Sequence, residues 1–298
     1  MLRDRCFVVL IITTFAPKKQ KNKMKKEYLS APLPFVGQKR MFAKEYLKVL
    51  DEVKDGKVFV DLFGGSGLLS HITKRQRPDA TVVYNDFDNY RRRIENIPRT
   101  NALLDRLRNI LVDVPKLNAV SKPVKERILD MMAKEEAETG FVDYITLSTS
   151  LLFSMKYATT LDEMRKHTMY NRIKHSGYDA EGYLDGLEIE SSDYRQLFDR
   201  YKDRDDVVFL VDPPYLSTDV GTYSMYWKLS DYLDVFKVLV GHRYVYFTSN
   251  KSSIIELCDW LGKNKEIGNP FIGSTRKEFN ASMNRGAHYT DIMLHNVA

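Results

Sequence analysis

Cysteine is nearly missing: Cys6 and Cys258 are the two in 298 residues. Two thiols cannot staple a fold of this size, which excludes a disulfide-built domain and fits a reducing compartment. The six histidines are scattered, and no Cys/His/Asp spacing recurs, so no metal site is expected. No repeat at a fixed period is present, which excludes solenoids and propellers. Long apolar runs are also lacking. The stretch "CFVVLIITTFA", residues 6–16, follows two arginines and mimics a signal peptide. It is too short to span a bilayer, and no clear small-x-small cleavage site accompanies it. Even the net charge of +6 says little once located. Residues 1–26 carry eight basic side chains against one acid, leaving −1 for all the rest. Global charge therefore identifies no partner, and only local patches can.

What is present reads as α/β. "KVFVDLFGGSGLLSHITKR" is a buried strand, Val58–Asp61, a glycine turn, and a helix from about Leu68. "ATVVYNDFDNYRRRIENI" repeats the pattern with a strand over Thr81–Asn85. Strand–turn–helix twice in succession means parallel strands. "DVVFLVDPPY" and "RYVYFTSN" are further strands separated by the helical "SDYLDVFKVLV". "HYTDIMLHNV" is a last strand, preceded by "STRKEFNASMNRG", a loop or short hairpin. Between Tyr90 and about Leu187 the period changes. "RILDMMAKEEAE" and "FVDYITLSTSLLFSMKY" read as helix and "HSGYDAEGYLDG" as loop. A helical insertion thus interrupts a parallel sheet.

Gly64, Gly65 and Gly67 sit where the first strand turns sharply, and glycine permits positive φ and close backbone approach. Asp86 follows Gly67 by 19 residues at the next strand's end, where a carboxylate reaches ribose hydroxyls of nucleotide-type cofactors. Ser70 stands where a dinucleotide fingerprint wants a third glycine or alanine. A cofactor with ribose but no pyrophosphate, S-adenosyl-L-methionine, fits better than NAD.

Asp212 ends the strand of "VVFLVDPPY" and points its carboxylate into the crevice that such strand ends line. Pro213 and Pro214 lack N–H groups and fix φ, freeing the Pro213 carbonyl to face a ligand beside the Tyr215 ring. Two acceptors and an aromatic face suit a planar group bearing an NH₂, such as adenine. Its amine is a poor nucleophile because the lone pair is delocalised. Acceptors on both hydrogens localise that pair for attack on a sulfonium methyl. Within a duplex the base must first be flipped out, at a cost of a few kcal/mol.

Together these blocks resemble the Dam-like family of adenine-N6 DNA methyltransferases over most of Ala31–Val297. "PLPFVGQKR" is similar to its opening block, "FVDLFGGSG" to its cofactor loop, "YNDFD" to its ribose acid, "SSDY" to its adenine-binding block and "DPPY" to its catalytic motif. The resemblance implies a Rossmann-like S-adenosylmethionine-dependent methyltransferase sheet with a mostly helical inserted target-recognition domain. It implies cofactor binding by Phe35, Lys39, Asp61, Phe63, Gly64, Gly65, Gly67, Asp86, Asp193 and Asp212. Phe35 stands where the family usually has tryptophan. Catalysis falls to Asp212, Pro213, Pro214 and Tyr215, and no metal is required.

The family's target-recognition region lies where the insertion was read. Residues 91–108 carry a local charge of +4 and residues 156–174 carry +3, and such cations supply most affinity for DNA phosphates. Arg91, Arg92, Arg93, Arg165, Lys166, Arg172 and Lys174 are the candidate contacts. His167 and His175 are expected at the DNA or the surface, Ser249 and Asn250 at the pocket or in a turn, and Trp227 in a lid or in packing. The expected division is a basic leader over 1–26, a catalytic domain over 27–90 and 188–298, and the insertion over 91–187. The leader is read as extraneous, with the working start at Met24; a targeting segment or a DNA-touching arm are its alternatives. Expected partners are duplex DNA and a cognate restriction endonuclease, with no membrane. A monomer or weak dimer in the cytoplasm is the expected setting. A methyltransferase for RNA or protein is the rival enzyme, which Asp212 argues against because those more often carry Asn there. A silent DNA-binding relative is the rival outside enzymes.

Overall fold

The computed structural model describes residues 27–153, 156–214, 229–250, 252–263, 269–284 and 287–297. The expectations placed on residues 1–26, Tyr215 and Trp227 lie outside the described residues. Seven strands form one sheet: Val58–Asp61 (β1), Thr81–Asn85 (β2), Glu188–Glu190 (β3), Val207–Val211 (β4), Arg243–Ser249 (β5), Thr275–Asn284 (β6) and Ala287–Asn296 (β7). Their order is β3-β2-β1-β4-β5-β7-β6. The first five are mutually parallel, whereas β7 pairs antiparallel with both β5 and β6. The chain adopts the Rossmann-like α/β fold expected from its sequence.

Side-chain alternation explains how strands that read as continuous apolar runs bury both faces. On one face Val58, Val60, Phe209, Val211, Tyr244 and Tyr246 pack against Tyr194–Tyr201 (α8), Leu229–Leu239 (α9) and Ile254–Lys263 (α10). On the other, Phe59, Val82, Val208, Leu210, Val245 and Phe247 meet Ala43–Glu52 (α1) and Leu68–Gln76 (α2). The chain leaves β1 toward β2 and β3 on one side, then returns through β4 to β5 on the other. That reversal opens a crevice at the carboxyl ends of β1 and β4.

Two expectations are corrected. "STRKEFNASMNRG" is largely a full-length strand, β6, rather than a loop or short hairpin. Its residues through Asn280 are mostly exposed, and charge on an edge strand blocks further pairing, so no apolar alternation marked it. Phe279 anchors it edge-on to Phe42, with ring centroids 4.7 Å apart. The helix read through Tyr157 is only Tyr144–Leu151 (α6), because Leu152 turns extended at ψ 159°. The region between β2 and β3 also contains Tyr90–Glu95 (α3), Ile97–Ile110 (α4), Lys122–Thr139 (α5) and Leu161–Lys166 (α7). Buried residues from Leu103 to Ile173 form an apolar cluster of their own there. No helix among the described residues is long and apolar enough to cross a membrane.

Leu147 is fully buried in that cluster. Leu147→Ala is expected to lower the unfolding free energy by about 2–5 kcal/mol, read from the urea midpoint.

Candidate active site

Asp212 follows β4 directly and accepts the Lys39 ammonium, with Nζ 2.6 Å from Oδ2. Lys39 lies just before the 3₁₀ turn Arg40–Phe42 that leads into α1. It also donates to the Gly37 carbonyl at 2.8 Å and sits 5.8 Å from the ring centre of Phe247 on β5. Burial pushes the Asp212 carboxyl above its ordinary pKa. Lys39 opposes the shift, and Asp291 on β7 adds to it. Pro213 is buried and Pro214 half-buried, so the two rings that stiffen the backbone are held by packing as well.

The glycine turn is held from behind by β2. The Tyr84 hydroxyl donates to the Gly65 carbonyl at 2.8 Å. A Cβ at Gly64 would strike the Tyr84 ring and lie 2.8 Å from the Asn85 carbonyl oxygen. Gly65 and Gly67 have φ of 48° and 70°, and a Cβ on Gly65 would lie 3.0 Å from the Phe35 ring. The sequence therefore needs glycine here for the turn and for the close approach of two aromatic rings.

Asp61, at the end of β1, takes the Ser70 hydroxyl on Oδ2 at 2.7 Å. Its Oδ1 is buried without a partner of hydrogen-bond geometry among the described residues. Burial raises its carboxyl to about 7. Ser70 pulls the value down, the nearby Asp212 charge pushes it up, and the Phe63 amide also opposes the rise. Asp86 is oriented by three donors: the Tyr84 hydroxyl at 3.0 Å and the amides of Tyr90 at 2.6 Å and Arg91 at 2.9 Å. It thereby holds the first turn of α3, while a carboxylate with about four acceptor positions keeps one free.

Asp193 caps α8 by accepting the Arg195 amide at 2.8 Å. The Phe63 ring lies 4.8 Å from that of Tyr194, which brings the glycine turn beside the helix start. Asn85 joins the same loops, donating to the Leu62 and Ser192 carbonyls and accepting the Ser192 amide, each at 2.9 Å. Sequence reasoning gave Asn85, Ser70, Asp291 and Phe247 no role in the site. Asn85 lies inside the "YNDFD" block and Ser70 three residues past the cofactor loop, and both were detectable as polar residues at buried positions. The other two come from strands distant in sequence and only the sheet order brings them near.

Of the candidate DNA contacts, Arg91, Arg92, Arg165, Lys166 and Lys174 are exposed. Arg172 is half-buried, donates to the Leu152 carbonyl and lies 5.9 Å over the Phe153 ring. Phe153 is itself 51% exposed and meets Tyr170 edge-on at 4.4 Å; it was missed because it was read as part of a helix. Arg93 is a correction. It is 6% exposed, and its guanidinium is engaged by Asp143, Pro34 and Thr146, so it does not face a phosphate. Asn250 fits the turn reading: its amide donates to the Thr290 carbonyl and its side chain accepts the Thr290 amide, both at 2.9 Å.

Residues 35–236 match the model of a family described as D12 class N6 adenine-specific DNA methyltransferase. A protein of Haemophilus influenzae, provisionally named a methyltransferase, is 38% identical over 280 residues, covering 91% of this chain and 93% of its own. A solved rRNA methylase from Streptococcus thermophilus aligns over 86% of this chain and 95% of its own at 9% identity, with a TM-score of 0.31. A likeness that loose carries no argument.

A buried carboxyl raised to about 7 favours the folded state while protonated. Its contribution is complete below the unfolded value near 4 and is lost as pH rises toward 7. Unfolding at pH 4.5, 6 and 7.5 should show wild type losing stability relative to Asp61→Asn as pH rises. The slope of that difference is expected to reach at most about 1.4 kcal/mol per pH unit.

Proposed function

Because the chain belongs to the D12 class of N6 adenine-specific DNA methyltransferases, we propose that the carboxyl edge of its sheet binds S-adenosyl-L-methionine and a flipped-out adenine side by side. One observation carries this reading: Asp212 stands half-buried at the crevice beside the glycine turn, already gripping a cation. The acids around it decide among cofactors. Asp86 and Asp212 supply negative charge, of which Lys39 offsets only that of Asp212, and the Oδ1 of Asp61, without a partner of hydrogen-bond geometry among the described residues, is a ready acceptor. A pyrophosphate placed among them would be repelled, whereas a ligand bearing an ammonium and a sulfonium is attracted. The residues therefore fit the methyl donor. Asp61 suits its ammonium, Asp86 its ribose, and Phe63, Phe35 and Asp193 its adenine. Bound there, S-adenosylmethionine supplies an electrophilic methyl group.

The chain's own residues prepare the nucleophile. The Asp212 carboxylate and the Pro213 carbonyl accept the two hydrogens of the adenine amine and localise its lone pair toward the methyl. As nitrogen gains positive charge, Asp212 stabilises it in a water-poor setting, an effect worth about 3–4 kcal/mol for groups of this kind. Lys39 keeps the carboxylate ionised and aimed until the amine arrives. Tyr215 supplies a ring for stacking, worth about 1–3 kcal/mol per base. The exposed cations of residues 91–187 hold the duplex by its phosphates.

Asp212→Ala is expected to abolish transfer of label from S-adenosylmethionine to duplex DNA, with cofactor binding weakened but measurable. Unchanged turnover would overturn the role given to Asp212, and label appearing in RNA but not DNA would overturn the substrate. Arg165→Ala with Lys166→Ala should weaken DNA binding about equally for all sequences. The slope of log affinity against log salt should become shallower by about one for each phosphate that the variant no longer neutralises.

A further inference from the structure

The segment carrying Phe35 and Lys39 has no regular secondary structure before Arg40, yet it must hold Phe35 against the glycine turn and Lys39 on Asp212. Helix α3 supplies the support. The Tyr90 hydroxyl accepts the Leu33 amide at 3.0 Å and pairs with the Leu33 carbonyl at 3.1 Å. One turn later, Arg93 Nη2 donates to the Pro34 carbonyl at 2.8 Å. Tyr90 also meets the Phe35 ring edge-on at 5.7 Å.

Arg93 is in turn held from the inserted region. Its Nε lies 3.1 Å from Asp143 Oδ1, and Nη2 is 3.2 Å from Thr146 Oγ1. Asp143 is the N-cap of α6, accepting the Thr146 amide at 3.0 Å and its hydroxyl at 2.6 Å. Arg93 and Asp143 are 6% and 4% exposed. An apolar contact would often stabilise such a junction as well as a buried ion pair does. What a guanidinium adds is several directional donors on one rigid plane, here aimed at three groups on two segments, the start of α6 and the Pro34 backbone.

We propose that Arg93 is a positioning residue for methyl transfer: braced by Asp143 and Thr146 of α6, it holds the Pro34–Lys39 segment at the cofactor side of the crevice. This rests on the reading of that edge as the methyl-donor site. The role differs from a phosphate contact, which the burial of the group forbids, and from plain stabilisation, which would leave the site's affinities alone.

The test uses full-length Arg93→Lys and Asp143→Asn. Affinity for S-adenosylmethionine is measured by calorimetry, cofactor-free binding to duplex DNA by gel shift, and KM and kcat by label transfer. The dissociation constant and KM for S-adenosylmethionine are expected to rise about tenfold or more, as misplacement of binding groups by about an ångström does. DNA affinity should stay within about twofold of wild type, a change near the scatter of such assays. A lower melting temperature with unaltered cofactor affinity in the folded protein overturns the proposal. So does abolished DNA binding with unaltered cofactor affinity. Should both variants fail to fold, Thr146→Val keeps the ion pair and removes one partner, and it must still raise the cofactor KM. Wild-type protein that binds no S-adenosylmethionine would instead overturn the active-site reading itself.

Discussion

Negative charge held at the carboxyl edge of the sheet is the constraint on which the site depends. Asp61, Asp86 and Asp212 end or follow β1, β2 and β4, and Asp291 adds its field from β7. Burial disfavours the charge on Asp61 and on Asp212, and the three strand-end acids are each held by specific partners: Ser70 on Asp61, three donors on Asp86, Lys39 on Asp212. The remaining deficit sits on the Oδ1 of Asp61. An edge arranged in this way collects acceptor oxygens, with the Lys39 ammonium set against Asp212, and it is in place before any side chain moves.

The second theme is how distant segments are tied to that edge. The glycine turn is backed by Tyr84 and approached by Phe35. Phe35 is held by α3, and α3 is held at one end by Asp86 and along its side by Asp143. Tyr183, from the return of the inserted region, donates to the Ser66 carbonyl at 3.0 Å and stacks on His71 at 4.7 Å. Two parts of the inserted region thus reach the carboxyl edge of the sheet through polar contacts in a buried setting. There hydrogen bonds are directional and breaking them is costly.

Legibility followed burial. The strands β1, β2, β4 and β5 were readable because parallel strands covered on both faces must be apolar throughout. β3, only Glu188–Glu190, and the exposed β6 carry no such pattern. α6 stopped early because its apolar run continues into an extended segment, and a run of apolar residues does not distinguish the two. Arg93 was misread for a related reason. Its neighbours Arg91 and Arg92 are exposed, and a run of three arginines gives no sign that helical geometry turns one of them inward.

The sequence by itself determined the class of fold, the family and the order of the chemical blocks, because strand burial, glycine turns and the acid at each strand end are local requirements written in local residues. Tertiary structure alone decided which charges meet. Lys39 reaches Asp212, Asp291 bears on it from β7, and Arg93 closes on Asp143 and Pro34, in each case across long stretches of chain. Such pairings depend on sheet order and helix packing, which bring together side chains whose separation in sequence carries no trace of their separation in space.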